Sequence, residues 1–489
     1  MSVSMRMSSI SGTTEPAASA GPPPARVKEA APRSLQLLLL CDFPKTTAST
    51  IIDHIFGLEE LSAHSITVFN SKGDGAAIID LDRFDGVIIH YSLVACMDTY
   101  VGPNLRAAIR RFSGLKAAFV QDDYRWINDT VDAMRDLGIH ILFGLVPPET
   151  IDQVYAPERL PGVLRETVLT GYVPLELTKR TVPPLDQRPL DVGYRARKVP
   201  AWLGSFAQEK WWISKRFEKD AAQYGLTCDF SNREKDRLYG EQWIEFLSSC
   251  KAVLGTESGA SVCDFTGEIQ RKVDAHVAAH PDADFETLRD LYFKEEDGRI
   301  AIPVISPRCF EAAALRTLMI LYEGHYSGRL TAWRHYVPLK KDHSNMAEVV
   351  EVLRDQERAQ AIVDRAFQEV ALSPENSFAA MVRQVDDAIN RMFRHEMAAK
   401  KAPYSKGDIV ALAKWDRRRR VIRRFGDVFW KSLLYVRRPR GLVRKLYAIT
   451  RRRIKLTTVR WSHPSFIPKG PRRGLKNRVI ALWPKMLDF

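Results

Sequence analysis

The chain alternates short apolar runs with stretches whose apolar residues recur three and four positions apart. Leu37 to Cys41 is such a run, ending at Asp42-Phe43-Pro44, and residues 50–61 then carry apolar side chains at helical spacing. A short apolar run followed by breakers is typical of a buried strand, and the wider spacing is typical of a helix. Further strands are predicted at 66–69, 86–90, 117–120 and 139–145, and further helices at 105–112 and 130–137.

A second series of the same kind follows the proline-rich break at 182–185. Strands are predicted at 191–194, 252–255, 302–305 and 317–321, helices at 210–225, 241–250, 310–316 and 346–354, and a long terminal helix pair at 356–396. The polar segment 264–300 has no strand pattern and is interpreted as a helical insertion. Because continuously apolar strands alternate with helices, the fold class is α/β, with parallel sheets covered by helices on both faces.

The two series predict two Rossmann-like domains that face a central cleft. The N-terminal domain spans 34–185, and the C-terminal domain spans 186–400 with the insertion 264–300. Residues 1–33, rich in Ser, Ala, Pro and Thr, predict a disordered leader, and 401–489 form a basic helical tail. Ligands of open α/β sheets bind beyond the carboxyl ends of the strands, so the candidate residues are those that follow each strand.

The positive charge of the chain is concentrated at one end. The 489 residues contain 73 Lys and Arg against 59 Asp and Glu, a formal net charge of +14. Residues 401–489 hold 17 Arg and 9 Lys against four acids, a charge of +22, which leaves −8 for the first 400 residues. This mildly acidic body argues against nucleic-acid binding by the two domains.

Membrane-spanning, secreted and zinc-binding classes are not favoured by the sequence. It contains no run of 18 apolar residues and no signal-peptide pattern near its start. The six cysteines are scattered, mostly in apolar runs, without a Cys-x-x-Cys spacing. That usage favours reduced thiols in a cytoplasmic protein over disulfides or a zinc site.

The most informative segment is Ser306-Pro307-Arg308-Cys309-Phe310-Glu311-Ala312-Ala313-Ala314. It follows a predicted strand and begins a helix, whose free N–H groups and positive dipole end suit a phosphate. Glu311 in the first turn offers a carboxylate to ribose hydroxyls. The alternative is a glutamate that only interacts with the helix dipole.

The pattern Ser-Pro-Arg-x-Phe-Glu-Ala-x-Ala, followed by a strand, resembles the nucleotide-sugar site of retaining glycosyltransferases with two Rossmann-like domains, the GT-B fold. The chain is similar to group 1 enzymes of surface-polysaccharide clusters and to the CgeB-like group. Sequence motifs support the resemblance for residues 185–355, whereas for residues 35–184 only the predicted fold supports it. The resemblance implies that Glu311 binds the donor ribose and that Arg308 lies near the donor diphosphate.

The family has another glutamate eight residues before the one at the ribose, where this chain has Pro303. Gly255-Thr256-Glu257-Ser258-Gly259 follows a predicted strand and resembles the turn that begins the family's motif, so the insertion would separate the two glutamates. The resemblance then implies that Glu257 faces the donor sugar as a catalytic residue, with Gly259 in the donor site. The alternative is a strand-end turn built on the two glycines.

Cations follow the first strand of the second domain, where the family holds the donor pyrophosphate with an Arg and a Lys. By resemblance this role is assigned to Arg195, Arg197 and Lys210, since cations stabilise charge that develops on a leaving diphosphate. The alternative is a loop of solvated basic side chains. After a later strand, Ser327 and Gly328 are predicted to let the backbone approach the donor closely.

The strand ends of the first domain supply His90 and Asp122, which are predicted to face the cleft and bind the acceptor. Either side chain could remove a proton from the acceptor. For His90, the alternative is a histidine whose hydrogen bonds are satisfied at a strand end. No metal and no other cofactor are expected, because the resemblance implies that cationic side chains and a helix end replace the metal.

Basic and aromatic residues alternate at roughly helical spacing in the tail. Arg417-Arg418-Arg419-Arg420 lies among Trp415, Val421, Ile422 and Phe425. This composition is typical of an interfacial helix on an anionic bilayer. The alternatives are a disordered arm that binds RNA or another polyanion, and a solvated tail without a partner.

The sequence therefore predicts a glycosyltransferase that moves a sugar from a nucleotide-diphosphate donor to a glycan or lipid-linked acceptor. It would act in surface-polysaccharide biosynthesis, in the cytoplasm at the inner face of the cell membrane. One alternative is a non-catalytic sugar-nucleotide-binding or scaffold protein of a polysaccharide assembly, which the interrupted glutamate pair favours. Another is a different enzyme on the same architecture, such as a sugar epimerase, because a fold does not determine a function.

Overall fold

The fold is built on two parallel sheets, as the apolar patterning predicts. The structure is a computed structural model that describes residues 33–43 and 49–419. The predictions for the leader up to residue 32 and for the tail beyond residue 419 lie outside the described residues. Both sheets belong to one compact unit that starts at Ser34.

The first sheet has six parallel strands in the order β2-β1-β3-β4-β5-β6. The strands are β1 (Gln36–Cys41), β2 (Ser65–Asn70), β3 (Gly86–Ile89), β4 (Leu115–Phe119), β5 (Ile141–Gly144) and β6 (Leu164–Thr167). The helices between them are α1 (Ser49–Leu61), α2 (Pro103–Arg111), α3 (Ile127–Leu137) and α4 (Ile151–Val154). All residues of β3, β4 and β5 are buried, which explains why these strands are apolar except for Lys116 of β4.

The second sheet has five parallel strands in the order β13-β12-β9-β7-β8. The strands of this half are β7 (Leu190–Arg195), β8 (Cys228–Ser231), β9 (Cys250–Gly255), β10 (Ser258–Ala260), β11 (Ile302–Val304), β12 (Leu318–Tyr322) and β13 (Val337–Leu339). The helices are α5 (Leu175–Thr178), α6 (Ser205–Ala221), α7 (Glu241–Ser249), α8 (Glu268–Ala279), α9 (Phe285–Tyr292), α10 (Pro307–Ala314), α11 (Met346–Arg354), α12 (Gln356–Ala366) and α13 (Phe378–Met392). A last helix, α14, covers 406–419.

The strand predicted at 302–305 forms, but it does not join the parallel sheet. It is β11, which pairs antiparallel with β10 in a separate two-stranded sheet. The sequence pattern missed the edge strands β6 and β8, whose sequences Leu-Arg-Glu-Thr and Cys-Asp-Phe-Ser are polar and only partly buried throughout. An edge strand buries less of its surface, so it lacks the apolar run that marks a central strand.

The helix pair predicted at 356–396 is divided between the two sheets. The apolar residues of α12 pack in the core of the second sheet, whereas those of α13 pack in the core of the first. Asp386 of α13 accepts hydrogen bonds from the Ser62 hydroxyl (2.7 Å) and the Ala63 amide (2.8 Å) after α1. The prediction that residues up to 400 belong with the second domain is therefore corrected from about residue 378, because amphipathic spacing does not indicate which sheet a helix covers.

The helix α14 also packs on the first sheet. Its residues Ile409 and Leu412 contact the first core, and Asp416 accepts a hydrogen bond from the Ser71 hydroxyl at 2.9 Å. Within the described part of the chain, no helix is long and apolar enough to cross a membrane. All six cysteines are free thiols.

Asp123 fixes the loop that follows β4. Its carboxylate is fully buried and accepts hydrogen bonds from the Tyr155 hydroxyl (2.5 Å) and the Leu145 amide (2.8 Å). Burial raises its pKa from 3.8 to about 7 in spite of these two donors. The folded protein therefore keeps a proton on Asp123 that the unfolded chain releases between about pH 4 and 7.

We expect Asp123→Asn to remove a pH dependence of stability. The contribution of Asp123 is fully present below pH 4 and is lost as pH rises through about 7, with a slope of up to about 1.4 kcal/mol per pH unit. Urea unfolding from pH 4 to 8 should therefore show that the free energy of unfolding of the variant increases relative to that of the wild type as pH rises. Asp122→Asn, at the exposed neighbouring position, is the control, with changes below about 0.5 kcal/mol. A difference between Asp123→Asn and wild type that does not vary with pH would contradict the assignment.

Candidate functional site

A cavity of about 460 Å³ lies where the carboxyl ends of strands from both sheets meet. Residues that follow β4 and β5 line it from the first sheet, and residues that follow β7, β8 and β9 line it from the second. Such a position, beyond the strand ends of α/β sheets, is where ligands of this architecture bind. The predicted site residues on its wall are Asp122, Arg195, Arg197, Lys210, Gly259, Arg308 and Glu311.

Glu311 is a buried carboxylate held by a tryptophan. Its side chain lies in α10, and its Oε2 accepts a hydrogen bond from the Trp243 indole N–H at 2.8 Å. Burial raises the pKa of Glu311, and the Trp243 donor and the charge of Arg308 partly oppose that rise. The Arg308 guanidinium lies over the Trp243 ring, 5.0 Å from its centroid. Glu311, Trp243 and Arg308 therefore form one layer of the cavity wall.

Three cations at this cavity have no carboxylate partner among the described residues. They are Lys210 in α6, Arg308 in α10 and Arg197 after β7. Burial and the charges of Arg308 and Arg197 lower the pKa of Lys210 from 10.5 to about 8. Like charges brought together in a partly buried place raise the free energy of the empty site, and a bound anion would relieve that cost.

The start of α10 adds a second anion-attracting feature. Ser306, Pro307, Arg308 and Cys309 line the cavity, and the N-cap Ser306 makes no side-chain hydrogen bond to the helix. The sequence pattern places Pro307 at the first helical position, where its missing N–H costs nothing. The first-turn amides and the positive end of the helix dipole thus lie beside the three cations.

Arg195 lies at the cavity but is already paired. Its guanidinium donates to Asp229 Oδ2 at 2.6 Å and to the Asp229 carbonyl oxygen at 2.9 Å, and it lies 4.3 Å from the Phe246 ring centroid. The Arg195 carbonyl oxygen in turn accepts a hydrogen bond from Arg308. Arg195 therefore supports the wall and holds Arg308, whereas Arg197, two residues later, is exposed.

The opposite wall comes from the first sheet. It includes Thr50 of α1 and the loop after β4 with Gln121, Asp122 and Tyr124. Asp122 is 55 % exposed at its side chain, accepts a hydrogen bond from the Tyr124 hydroxyl at 2.7 Å, and lies 3.7 Å from Arg125. This wall therefore presents polar groups and a carboxylate to the cavity.

His90 does not lie on this cavity wall. It is fully buried, its Nε2 contacts His54 Nδ1 at 3.1 Å, and its Nδ1 contacts the Ser92 hydroxyl at 2.9 Å. Burial and the neighbouring His54 lower the pKa of His90 well below its usual value. The structure thus corrects the expectation that His90 faces the cleft, because its hydrogen bonds are satisfied inside the first core.

Glu257 and the loop after β12 also lie away from the cavity lining. Thr256 and Ser258 line the cavity, but the Glu257 side chain between them turns the other way and accepts a hydrogen bond from the Tyr326 amide at 2.7 Å. Successive side chains of an extended segment point to opposite sides, so Glu257 points away from the cavity that Thr256 and Ser258 line. Ser327 and Gly328 are not among the lining residues, and the Ser327 hydroxyl accepts from the Ile305 amide at 3.0 Å.

Two features of the site were missed in the sequence. Asp53 in α1 lies close enough to Glu311 for its charge to raise the pKa of Glu311 across the two sheets. The loop after β8 lines the cavity with Arg233, which is paired with Asp236 at 2.6 Å, and with the half-exposed Tyr239. The loop could have been found if β8 had been predicted, but the polar sequence of β8 does not indicate a strand. Asp53 lies one helical turn after Thr50, which lines the cavity, and this spacing would have indicated its position.

Comparisons with known proteins give distant structural similarities. No family model matches the chain, and no curated protein matches its sequence. The chain is similar to an alpha-glucosyltransferase solved with UDP-glucose and DNA, with 8 % identity, a TM-score of 0.46, and coverage of 73 % of this chain and 100 % of that one. It is similar to Anabaena Alr3699/HepE solved with UDP, with 9 % identity, a TM-score of 0.41, and coverage of 73 % and 99 %. Similarity at this level does not identify the function of the chain.

We expect Glu311→Gln to leave the protein at least as stable as wild type above neutral pH. The substitution removes the charge whose burial raises the pKa of Glu311, and the amide oxygen can still accept from Trp243. Because the pKa of Glu311 is raised in the folded protein, the stability of the variant relative to wild type should increase as pH rises, and the difference should vanish in acid. The difference in melting temperature between variant and wild type at pH 5 and at pH 8 measures this effect.

Glu369→Gln is the matched control with the opposite sign. Contacts with Arg334 and His335 lower the pKa of Glu369 to about 2, so the same substitution removes favourable pairs. That variant should melt below wild type at both pH values. If Glu311→Gln melts below wild type at pH 8 as well, Glu311 is part of the structural framework and not a strained site residue.

Proposed function

We propose that the protein is a glycosyltransferase that uses a nucleoside-diphosphate sugar as its donor. The observation that carries this proposal is the set of cations Lys210, Arg308 and Arg197, which share one cavity with the start of α10 and lack carboxylate partners among the described residues. A diphosphate carries the charge that such a cluster binds, and guanidinium groups fit its oxygens in pairs.

The donor would be oriented by the layer formed by Glu311, Trp243 and Arg308. One oxygen of Glu311 holds the Trp243 indole, which leaves the other oxygen to accept hydrogen bonds from ribose hydroxyls. The pairing of Arg195 with Asp229 leaves the diphosphate to the other three cations. This assigns the ribose and the diphosphate to neighbouring parts of one cavity.

The acceptor would enter from the wall that carries Gln121, Asp122 and Tyr124. The acceptor oxygen forms a bond to the anomeric carbon, the bond from that carbon to the diphosphate breaks, and the nucleoside diphosphate leaves with the electron pair. Lys210 and Arg308 stabilise the charge that grows on the leaving group. We assign the removal of the acceptor proton to Asp122, a carboxylate that lines this wall, since His90 is enclosed in the core.

A non-catalytic sugar-nucleotide-binding protein is the second candidate. The observation that favours it is the side chain of Glu257, which is turned toward Tyr326 and away from the lining of the cavity. A binding protein would bind a nucleotide sugar without consuming it. Release of nucleoside diphosphate, with and without a glycan or lipid-linked acceptor, separates the two candidates.

We further propose that the acceptor is a glycan or a lipid-linked glycan of a surface polysaccharide, reached at the inner face of the membrane. Support comes from the tail and from α14, whose exposed residues include Lys406, Lys414, Arg417 and Arg418. Since α14 packs on the first sheet, this basic surface belongs to the half of the molecule that would receive the acceptor.

Lys210→Met should weaken binding of UDP or GDP roughly 10- to 100-fold at pH 7, because a charge-assisted contact to the diphosphate is lost. Binding of the free nucleoside should not change. The wild-type affinity should fall as pH rises through about 8, where Lys210 loses its proton, and the variant should show no such fall. Calorimetry at pH 7 and pH 9 measures both effects.

Lys215→Met is the control for Lys210→Met on the same helix. Lys215 is exposed and pairs with Glu218 at 3.2 Å, so its loss should leave nucleotide affinity unchanged. If the wild type binds no nucleoside diphosphate, the proposed function loses its basis. If Lys210→Met binds as tightly as wild type, the diphosphate site lies elsewhere.

The full chain should float with vesicles that contain anionic lipid and not with neutral vesicles, and salt should weaken the binding. Each Lys or Arg at such a surface contributes about 1 kcal/mol. A chain that ends at residue 419 should bind far more weakly. Equal flotation of the two chains would contradict the membrane proposal, and displacement of the full chain by RNA at equal charge would favour a polyanion partner instead.

A further inference from the structure

One segment of the chain is hydrogen-bonded to both walls of the cavity. This segment, residues 261–300, contains α8 and α9 and is called the strap here. It contacts the loop 121–128 on the wall of the first sheet and the start of α6 on the wall of the second. We propose that the strap is a positioning device that sets the gap between Lys210 and the loop 121–128, an inference that rests on the proposed function.

The first end of the strap is bound to the acceptor wall through its backbone. The Asp264 amide donates to the Tyr124 carbonyl oxygen at 2.8 Å, and the Asn128 amide donates to the Phe265 carbonyl oxygen at 2.9 Å. Tyr124 lines the cavity, so the strap is bound to the wall itself. Backbone pairing of this kind places two segments in a fixed register, as in a strand pair.

The other end of the strap caps the helix that carries Lys210. Asp297 Oδ1 accepts hydrogen bonds from the Ser205 amide (3.0 Å), the Ser205 hydroxyl (3.1 Å) and the Ser261 hydroxyl (2.6 Å). The N-cap of α6 is Gly204, which has no side chain to offer its helix. A carboxylate at this place both accepts a first-turn N–H and interacts favourably with the helix dipole.

The contact between the strap and α6 is close-packed. The Ser261 hydroxyl accepts a further hydrogen bond from the Phe206 amide at 3.1 Å. A Cβ atom at Gly204 would lie 2.3 Å from Ser261 Oγ and 2.6 Å from Asp297 Oδ1, so glycine is required for this approach. Gly204 also has a φ of +85°, which favours glycine on conformational grounds.

A third contact links the two walls directly. The Arg125 guanidinium lies 3.5 Å from the centroid of the Trp126 ring and 5.3 Å from that of Trp202. Trp202 lies shortly before Gly204 and the start of α6. The loop 121–128, the strap and the start of α6 therefore form a closed circuit of contacts around one side of the cavity.

This circuit matters because Lys210 lies only five residues after Ser205. If the first turn of α6 frays, the ammonium group of Lys210 moves relative to Arg308 and to the acceptor wall. In catalysis a misplacement of about 1 Å can cost about 100-fold in rate. Asp297 and Ser261 are therefore positioning residues, which act through α6 and touch neither substrate.

The test is a double-mutant cycle on the full-length chain with UDP and GDP as probes. Asp297→Ala should weaken nucleotide binding about tenfold when Lys210 is present, and by less than about twofold in the Lys210→Met background. Asp297→Asn keeps the accepting oxygen and should restore most of the affinity. Asp290→Ala, in α9, removes exposed pairs with Arg289 and Lys294 and is the matched control without effect.

A second measurement does not depend on the nucleotide. Hydrogen exchange of the Ser205 and Phe206 amides should become faster in Asp297→Ala and stay unchanged in Asp290→Ala. Equal losses of affinity in both Lys210 backgrounds, or unchanged exchange at α6, would overturn the strap proposal. Wild-type protein that binds neither nucleotide would overturn the proposed function, and exchange would then decide on the strap alone. If Asp297→Ala does not fold, Ser261→Ala takes its place in both measurements.

Discussion

The burial of Lys210 beside Arg308 and Arg197 is the constraint on which the site depends. Burial, and after it the charges of Arg308 and Arg197, lower the pKa of Lys210 to about 8, so the site carries an unfavourable electrostatic energy. The three cations come from the end of β7, from α6 and from the start of α10, so the sheet topology itself brings them together. An anion with several oxygens would relieve this cost, which is the physical basis of the proposed diphosphate site.

The neighbouring Arg195 shows that position, and not residue type, separates a cation paired with a carboxylate from one at the same cavity without such a partner among the described residues. Arg195 is the last residue of β7, and its side chain is neutralised by Asp229 of β8 and packed on Phe246. Arg197 lies beyond the strand, where no neighbouring strand supplies a carboxylate. Two residues of chain therefore change the role of an arginine from holding Arg308 to facing the cavity.

Apolar runs predicted the central strands of both sheets because those strands are buried on both faces. The pattern did not predict β6 and β8, which are half-exposed edge strands, or the sheet on which α13 packs. At the site, Glu311, Arg308 and Lys210 could be singled out because their segments follow strands and match the motifs of the resemblance. The inward turn of Glu257 and the enclosure of His90 could not, since they depend on the Tyr326 amide and on His54, distant partners that local spacing does not reveal.

The gap between the walls cannot be set by either sheet alone, because each wall belongs to a different sheet. The strap contacts both walls, and it does so with two kinds of contact. Its apolar residues Val273, Leu288 and Phe293 pack in one buried cluster with Trp202, Leu203 and Ala207 around the start of α6. Beside this cluster, Asp297 and the buried Ser261 accept hydrogen bonds from the first-turn amides of α6. Hydrogen bonds of this kind contribute about 1 kcal/mol each, so the loss of one of them would loosen the first turn of α6 locally while the apolar cluster keeps the strap in place.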